Sequence, residues 1–185
     1  MSPTNPIGTQ KARSARSSGP DDGVRKPLLL VDVDGVISLF GFAPERPPEG
    51  AFQAIDGIVH FISAAAGGHL LALAADFELV WCSGWEEKAN EYLPRLLGLP
   101  APLPYLVFER APGRTRAHWK LEAIDAFAGR RALAWIDDAF NEACAQWARR
   151  RPAPTLLVPT DPARGLTVED ERTLRSWRGG LPGAR

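Results

Sequence analysis

Asp32 and Asp34 stand one residue apart directly behind the aliphatic run Leu28-Leu29-Leu30-Val31, and Gly35 follows them. Residues two apart on an extended chain point the same way. Both carboxylates can therefore converge on one bound group. One can attack it or hold a metal while the other moves a proton. Asp-Gly behind a strand is also an ordinary turn, with the Asp as a cap. The chemistry depends on what else reaches the same place.

Ser83 closes the run Leu79-Val80-Trp81-Cys82, Asp137 and Asp138 close the run Ala132–Ile136, and Lys120 precedes that run. Open α/β sheets bind ligands outside the carboxyl ends of their strands. Parallel strands would bring these groups to one edge. Acids from two strands make a hard oxygen site suited to Mg²⁺. A hydroxyl and an ammonium can hold phosphoryl oxygens as charge shifts between them. Without cations, the clustered acids would repel an anionic substrate and raise one another's pKa values. The set suits phosphoryl transfer from a phosphorylated substrate.

The elements that must position these groups alternate along the chain. Short apolar runs predict strands at 28–31, 79–82, 105–108, 132–136 and 155–158. Between them, helices are expected at 69–77, at 86–97 with Pro94 breaking or kinking it, and at 117–128. A further helix carries Phe140, Cys144 and Trp147, and a last one opens at Thr167 with acids in its first turn. Phe40 to Gly50 reads as loop, and Phe52 to Ile62 as short flap strands. The alternation predicts an α/β fold: a Rossmann-like, doubly wound parallel sheet of about five strands.

The 185 residues suit one domain, with 45% hydrophobic and 24% charged residues and a formal net charge of +0. That balance does not indicate a strongly basic nucleic-acid binder. Cys82 and Cys144 lie in apolar surroundings and read as buried free thiols. No apolar stretch approaches the roughly 20 residues of a membrane span, and no signal-peptide core is visible. A cytoplasmic location is the expectation. Residues 1–26 are polar and basic, and read as a disordered tail ahead of a domain over 27–185.

Asp32-Val33-Asp34-Gly35-Val36 resembles the first motif of haloacid-dehalogenase-like (HAD) phosphatases. Ser83 resembles their second motif, Lys120 their third, and Ile136-Asp137-Asp138 their fourth. The likeness spans about residues 28–158. It implies that Asp32 is the nucleophile forming an aspartyl-phosphate and also a Mg²⁺ ligand. Asp34 would be the general acid and base, its backbone carbonyl on the metal. Ser83 would donate to a phosphoryl oxygen, and Lys120 would neutralise charge on Asp32 and the phosphate. Asp137 would hold Mg²⁺, with Asp138 as the alternative or a supporting partner. Arg114 and Arg116 lie close enough in sequence to replace Lys120, and Lys120 itself also reads as a solvated helix charge. Glu142, four residues past Asp138, is a candidate for orienting a metal water or an exposed helix residue. Trp85 follows the Ser83-Gly84 turn and could line the site mouth. His60, His69 and His118 lack metal-ligand spacing.

Such enzymes often carry a cap after the first strand or after the third. About 45 residues separate Asp34 from Leu79, and about a dozen separate Phe108 from Lys120. That leaves room for a minimal cap, a flap over Phe40 to Ile62. An open crevice admits a large substrate. Val80–Trp85, Leu133–Asp138 and Gly165-Leu166-Thr167 are similar to the HAD domains of Swiss-army-knife RNA-repair proteins. That likeness implies a phosphatase acting on nucleic-acid ends. Arg149-Arg150-Arg151 is either a contact for such a substrate or a solvated helix end. The alternative is a non-catalytic HAD-like binding or regulatory protein, which a displaced Lys120 would favour.

Overall fold

A computed structural model describes residues 25–109 and 117–183. Most of the expected N-terminal tail, together with Arg114 and Arg116, lies outside the described residues.

The chain enters through β1 (Leu28–Val31), every residue of which is buried. It then forms β2 (Ser38–Leu39), β3 (Gly50–Ile55), β4 (Ile58–Ser63), α1 (Ala66–Leu73), β5 (Glu78–Trp81) and α2 (Lys88–Leu97). A 3-10 turn at Ala117–Lys120 leads into α3 (Leu121–Ala128). β6 (Leu133–Asp137), α4 (Glu142–Arg150), β7 (Thr155–Pro159) and α5 (Val168–Gly179) complete the described fold.

Four strands form one parallel sheet in the order β5-β1-β6-β7. Alternate residues of each strand serve opposite faces, which is why continuous aliphatic runs are needed. Leu29, Val31, Ala134 and Ile136 face a core built with Ala66, Leu70 and Leu73 of α1, Leu93 and Leu97 of α2, and Leu174 of α5. Leu28, Leu30, Leu133 and Trp135 face the other core, with Ile124 of α3 and Cys144 of α4. Each buried aliphatic side chain contributes about 1.5–3 kcal/mol. The sheet is doubly covered, as the alternation of elements predicts. Both Cys82 and Cys144 are free and buried.

The strand expected at 105–108 is reduced to one bridge, between Tyr105 and Trp81. Pro104 has no N–H to extend the ladder, and Phe108 gives its N–H to Glu86 Oε1 at 3.0 Å. The first and second helices begin at Ala66 and Lys88. α2 runs through Pro94 without ending. It is held on its buried side by Ala89, Leu93 and Leu97, and it packs so closely that a Cβ on Gly67 would lie 2.2 Å from the Leu97 carbonyl oxygen. The last helix opens with a full capping box, Thr167 and Asp170 each capping the other's backbone.

A second, antiparallel sheet of order β2-β4-β3 forms the flap. Its hairpin turns at Asp56-Gly57, where φ is 51° and 76°. Two successive left-handed residues define the tight turn that matches strand twist. Among the described residues, no helix lies between β1 and α1, so this flap is the whole of the cap there. Among the described residues, no helix is long and apolar enough to cross a membrane.

Candidate active site

The chain leaves β1, crosses to β5 on one side, and returns to β6 on the other. A parallel sheet opens a crevice where its strand order switches in this way. Asp32 immediately follows β1, Asp137 ends β6, and Asp138 follows it. Ser83 lies two residues beyond β5. Lys120 reaches the same point from the 3-10 turn.

Asp32, Asp34, Ser83, Lys120, Asp137 and Asp138 all line one cavity of about 550 Å³. Lys120 is 3% exposed, and its Nζ lies 2.8 Å from Asp32 Oδ2 and 2.6 Å from Asp137 Oδ2. The other oxygens are held by backbone: Val33 N–H donates to Asp32 Oδ1 at 2.8 Å, and Ala139 N–H to Asp137 Oδ1 at 2.9 Å. Burial alone would lower the Lys120 pKa, but the carboxylate of Asp32 and then that of Asp137 raise it above the ordinary lysine range. Burial and the nearby Asp32 charge push Asp137 upward against the pull of Lys120. The same two causes raise Asp138.

Asp34 is the outer member of the pair. Its residue surface is exposed, yet protein atoms crowd the carboxylate, and that desolvation raises its pKa; a hydrogen bond from Trp85 opposes the rise, and the Asp32 charge adds to it. A carboxyl pushed upward in this way holds its proton more readily, which suits it to moving one. Ser83 is 1% exposed, and its Oγ accepts the Trp85 N–H at 3.4 Å.

Asp32, Asp137 and Asp138 each offer a carboxylate oxygen, all within 4.8 Å of one another. These hard oxygen donors fit a small divalent cation that keeps some of its waters. Gly35 makes the cluster possible. Its φ is +72°, and a Cβ there would lie 2.4 Å from Asp138 Cγ. The loop is braced from behind: Thr160 Oγ1 donates to the Gly35 carbonyl at 3.0 Å, and Leu166 N–H donates to Val36 O at 3.0 Å. Gly165 approaches so closely that a Cβ would meet Val36 O at 2.4 Å.

Several candidates stand elsewhere. Glu142 is exposed and holds Arg149 at 2.7 Å. Arg151 binds Asp125 at 2.8 Å and its guanidinium lies 5.3 Å from the Trp147 ring centre, so two members of the arginine run are engaged within the fold. His69 bonds Glu171 at 2.7 Å, and His118 bonds Asn141 at 2.8 Å. Burial pushes the Cys82 thiol far above its ordinary range.

The flap supplies lining residues that the motif pattern did not single out: Ile55, Asp56, Ile58 and His60, with Lys88 across from them on α2. Asp56 is bonded to Lys88 and accepts from the Tyr92 hydroxyl at 2.9 Å. The Asp56-Gly57 pair between Ile55 and Ile58 is a hairpin signal and could have located this contact.

A parallel sheet with acids at two adjacent strand ends, a buried lysine between them and a small flap as its cap defines a compact, Rossmann-like α/β domain. The family model for the HAD domain in Swiss Army Knife RNA repair proteins matches residues 28–170, and the chain belongs to that family. No curated protein matches it closely. Family membership supports a hydrolase of phosphatase type.

Proposed function

We propose that the chain is a Mg²⁺-dependent phosphatase that works through an aspartyl-phosphate and acts on phosphorylated nucleic-acid ends. The observation that carries this reading is Lys120, buried between Asp32 and Asp137 and within 2.8 Å of both. A binding protein has no need of a buried ammonium fixed on a nucleophile.

In this reading an Asp32 oxygen attacks phosphorus, and the bond to the leaving oxygen breaks. Asp34 gives its proton to that oxygen, then takes one from the water that cleaves the aspartyl-phosphate. Lys120 offsets charge on Asp32 as it approaches an anionic phosphoryl group. Ser83 donates its hydroxyl to a phosphoryl oxygen. Asp32, Asp137, Asp138 and the Asp34 backbone carbonyl would hold Mg²⁺, which supplies charge neutralisation and orientation at the phosphoryl oxygens. The substrate class rests on the family, whose model describes RNA repair proteins. We read the small flap, rather than a larger cap, as leaving room for a polymer end.

The test is phosphate release by purified protein from 4-nitrophenyl phosphate and from oligonucleotides with 3′- or 5′-terminal phosphate. Release that requires both Mg²⁺ and Asp32, and that is faster on an oligonucleotide end than on mononucleotides, is the expected result. Release unchanged in Asp32→Asn would overturn the mechanism.

A further inference from the structure

The Trp85 indole Nε1–H donates to Asp34 Oδ2 at 3.0 Å. That ring is itself held by the flap. His60, on β4, meets it edge-on with centroids 4.7 Å apart and planes at 66°. Ser38, on β2, bonds His60 Nδ1 at 2.9 Å. Behind the ring, the turn is set by Glu86, at φ 49°, whose carboxylate accepts from Phe108 N–H. Asp34 follows a buried valine and is otherwise the exposed member of its pair. The indole engages Oδ2, and among the described residues Oδ1 is the oxygen left to meet a substrate.

We infer that Trp85 is a positioning residue for proton transfer, and that the flap takes part in catalysis by holding Trp85 through His60 and Ser38. This rests on the phosphatase reading above. As the bond from Asp32 to phosphorus forms and the bond to the leaving oxygen breaks, the proton on Asp34 Oδ1 passes to that oxygen. Asp34 is left as a carboxylate, and the indole N–H stabilises the charge at Oδ2. Binding energy alone does not require this bond; a fixed direction of proton delivery does.

Trp85→Phe keeps an aromatic ring against His60 and removes the donor. The comparison is kcat/KM for 4-nitrophenyl phosphate and for a nucleoside 3′-phosphate. That ratio reports events up to departure of the leaving group, before Asp34 acts as a base. Nitrophenolate departs without a proton, whereas a ribose alkoxide does not. The nucleoside phosphate should lose at least ~10-fold, part of the roughly 10²–10⁴ that a general acid supplies. The aryl phosphate should change less than about 3-fold, since its departure draws on none of that contribution. Equal losses on both substrates, or none, would overturn the role of Trp85 while leaving the phosphatase reading intact. Absence of Asp32-dependent turnover in the wild-type enzyme would overturn both. Should Trp85→Phe fail to fold, the metal-free protein labelled with ¹⁵N decides the contact. Asp34→Ala should shift one indole N–H resonance upfield, and no shift would overturn the inference.

Discussion

The Asp138 carboxylate occupies the space that a side chain on Gly35 would need, its Cγ lying 2.4 Å from where a Cβ would stand. The acid loop after β1 and the acid pair after β6 are therefore fitted to one another atom against atom. Gly35→Ala should strain the backbone at φ +72° by about 1–2 kcal/mol and also displace Asp138. Thermal melting should fall by several degrees, at roughly 2–4 °C per kcal/mol for a chain of this size. Mg²⁺ should stabilise the variant less than it stabilises the wild type. Unchanged Mg²⁺-dependent stabilisation would show that Asp138 does not need its present place.

Lys120→Met removes the cation from between two buried carboxylates. Breaking such a buried pair typically costs about 3–5 kcal/mol, because the remaining charges are left uncompensated. The folded-state pKa of Lys120 lies above its ordinary value. Its stabilisation is therefore complete below about 10.4, the ordinary value, and is lost only as pH rises through the higher folded one. At neutral pH the variant should show the full loss in a denaturant melt, with added Mg²⁺ recovering part of it. A variant as stable as wild type at neutral pH would contradict the charge arrangement.

Asp34→Asn should raise the melting temperature of the metal-free protein at neutral pH while abolishing turnover. The sign follows from linkage. Asp34 has a raised pKa in the fold, so the folded state binds its proton more readily than the unfolded chain. Ionised Asp34 thus costs stability above the ordinary carboxyl value of about 3.9, and that cost fades as pH falls through the raised one. Asparagine keeps an oxygen for the Trp85 indole. Melts in chelator at pH 7 and near pH 4 should show the gain at the first and little at the second. An equal gain at both would refute the titration.

Asp56→Ala should release the flap from α2, since Asp56 is the common partner of Lys88 and Tyr92. The three groups are at the surface, so global stability should scarcely move. Amide hydrogen exchange should accelerate in β3 and β4 and stay unchanged in β1 and β6. Uniform exchange across both sheets would mean that the flap is not latched there.

The sheet was legible because buried parallel strands require aliphatic runs, and Leu28–Val31 and Leu133–Ile136 have no other reading at that length. The convergence of Asp32 with Asp137 was legible for the same reason: strand direction alone puts them at one edge. The segment 105–108 misled because hydrophobic pattern does not report ladder hydrogen bonds, and Pro104 withholds one. Helix boundaries shifted where caps are weak: α1 has no side-chain cap, whereas Thr167 marks the start of α5 plainly. The Trp85–Asp34 bond spans 51 residues and depends on a single ring orientation. No local spacing encodes that. Placing Lys120 between Asp32 and Asp137, rather than in solvent, likewise required its burial at 3% exposure.

The brace behind the acid loop, formed by Thr160, Gly165 and Leu166, lies later in the chain than every group of the candidate chemistry. During synthesis the ribosome releases Asp32, Lys120 and Asp138 well before it releases the segment that gives their loop its shape. A nascent chain ending before Thr160 carries all the reactive groups and lacks the wall against which Gly35 and Val36 are set. The loop that carries Asp32 and Asp34 therefore gains its full set of contacts only in a chain that extends to Leu166.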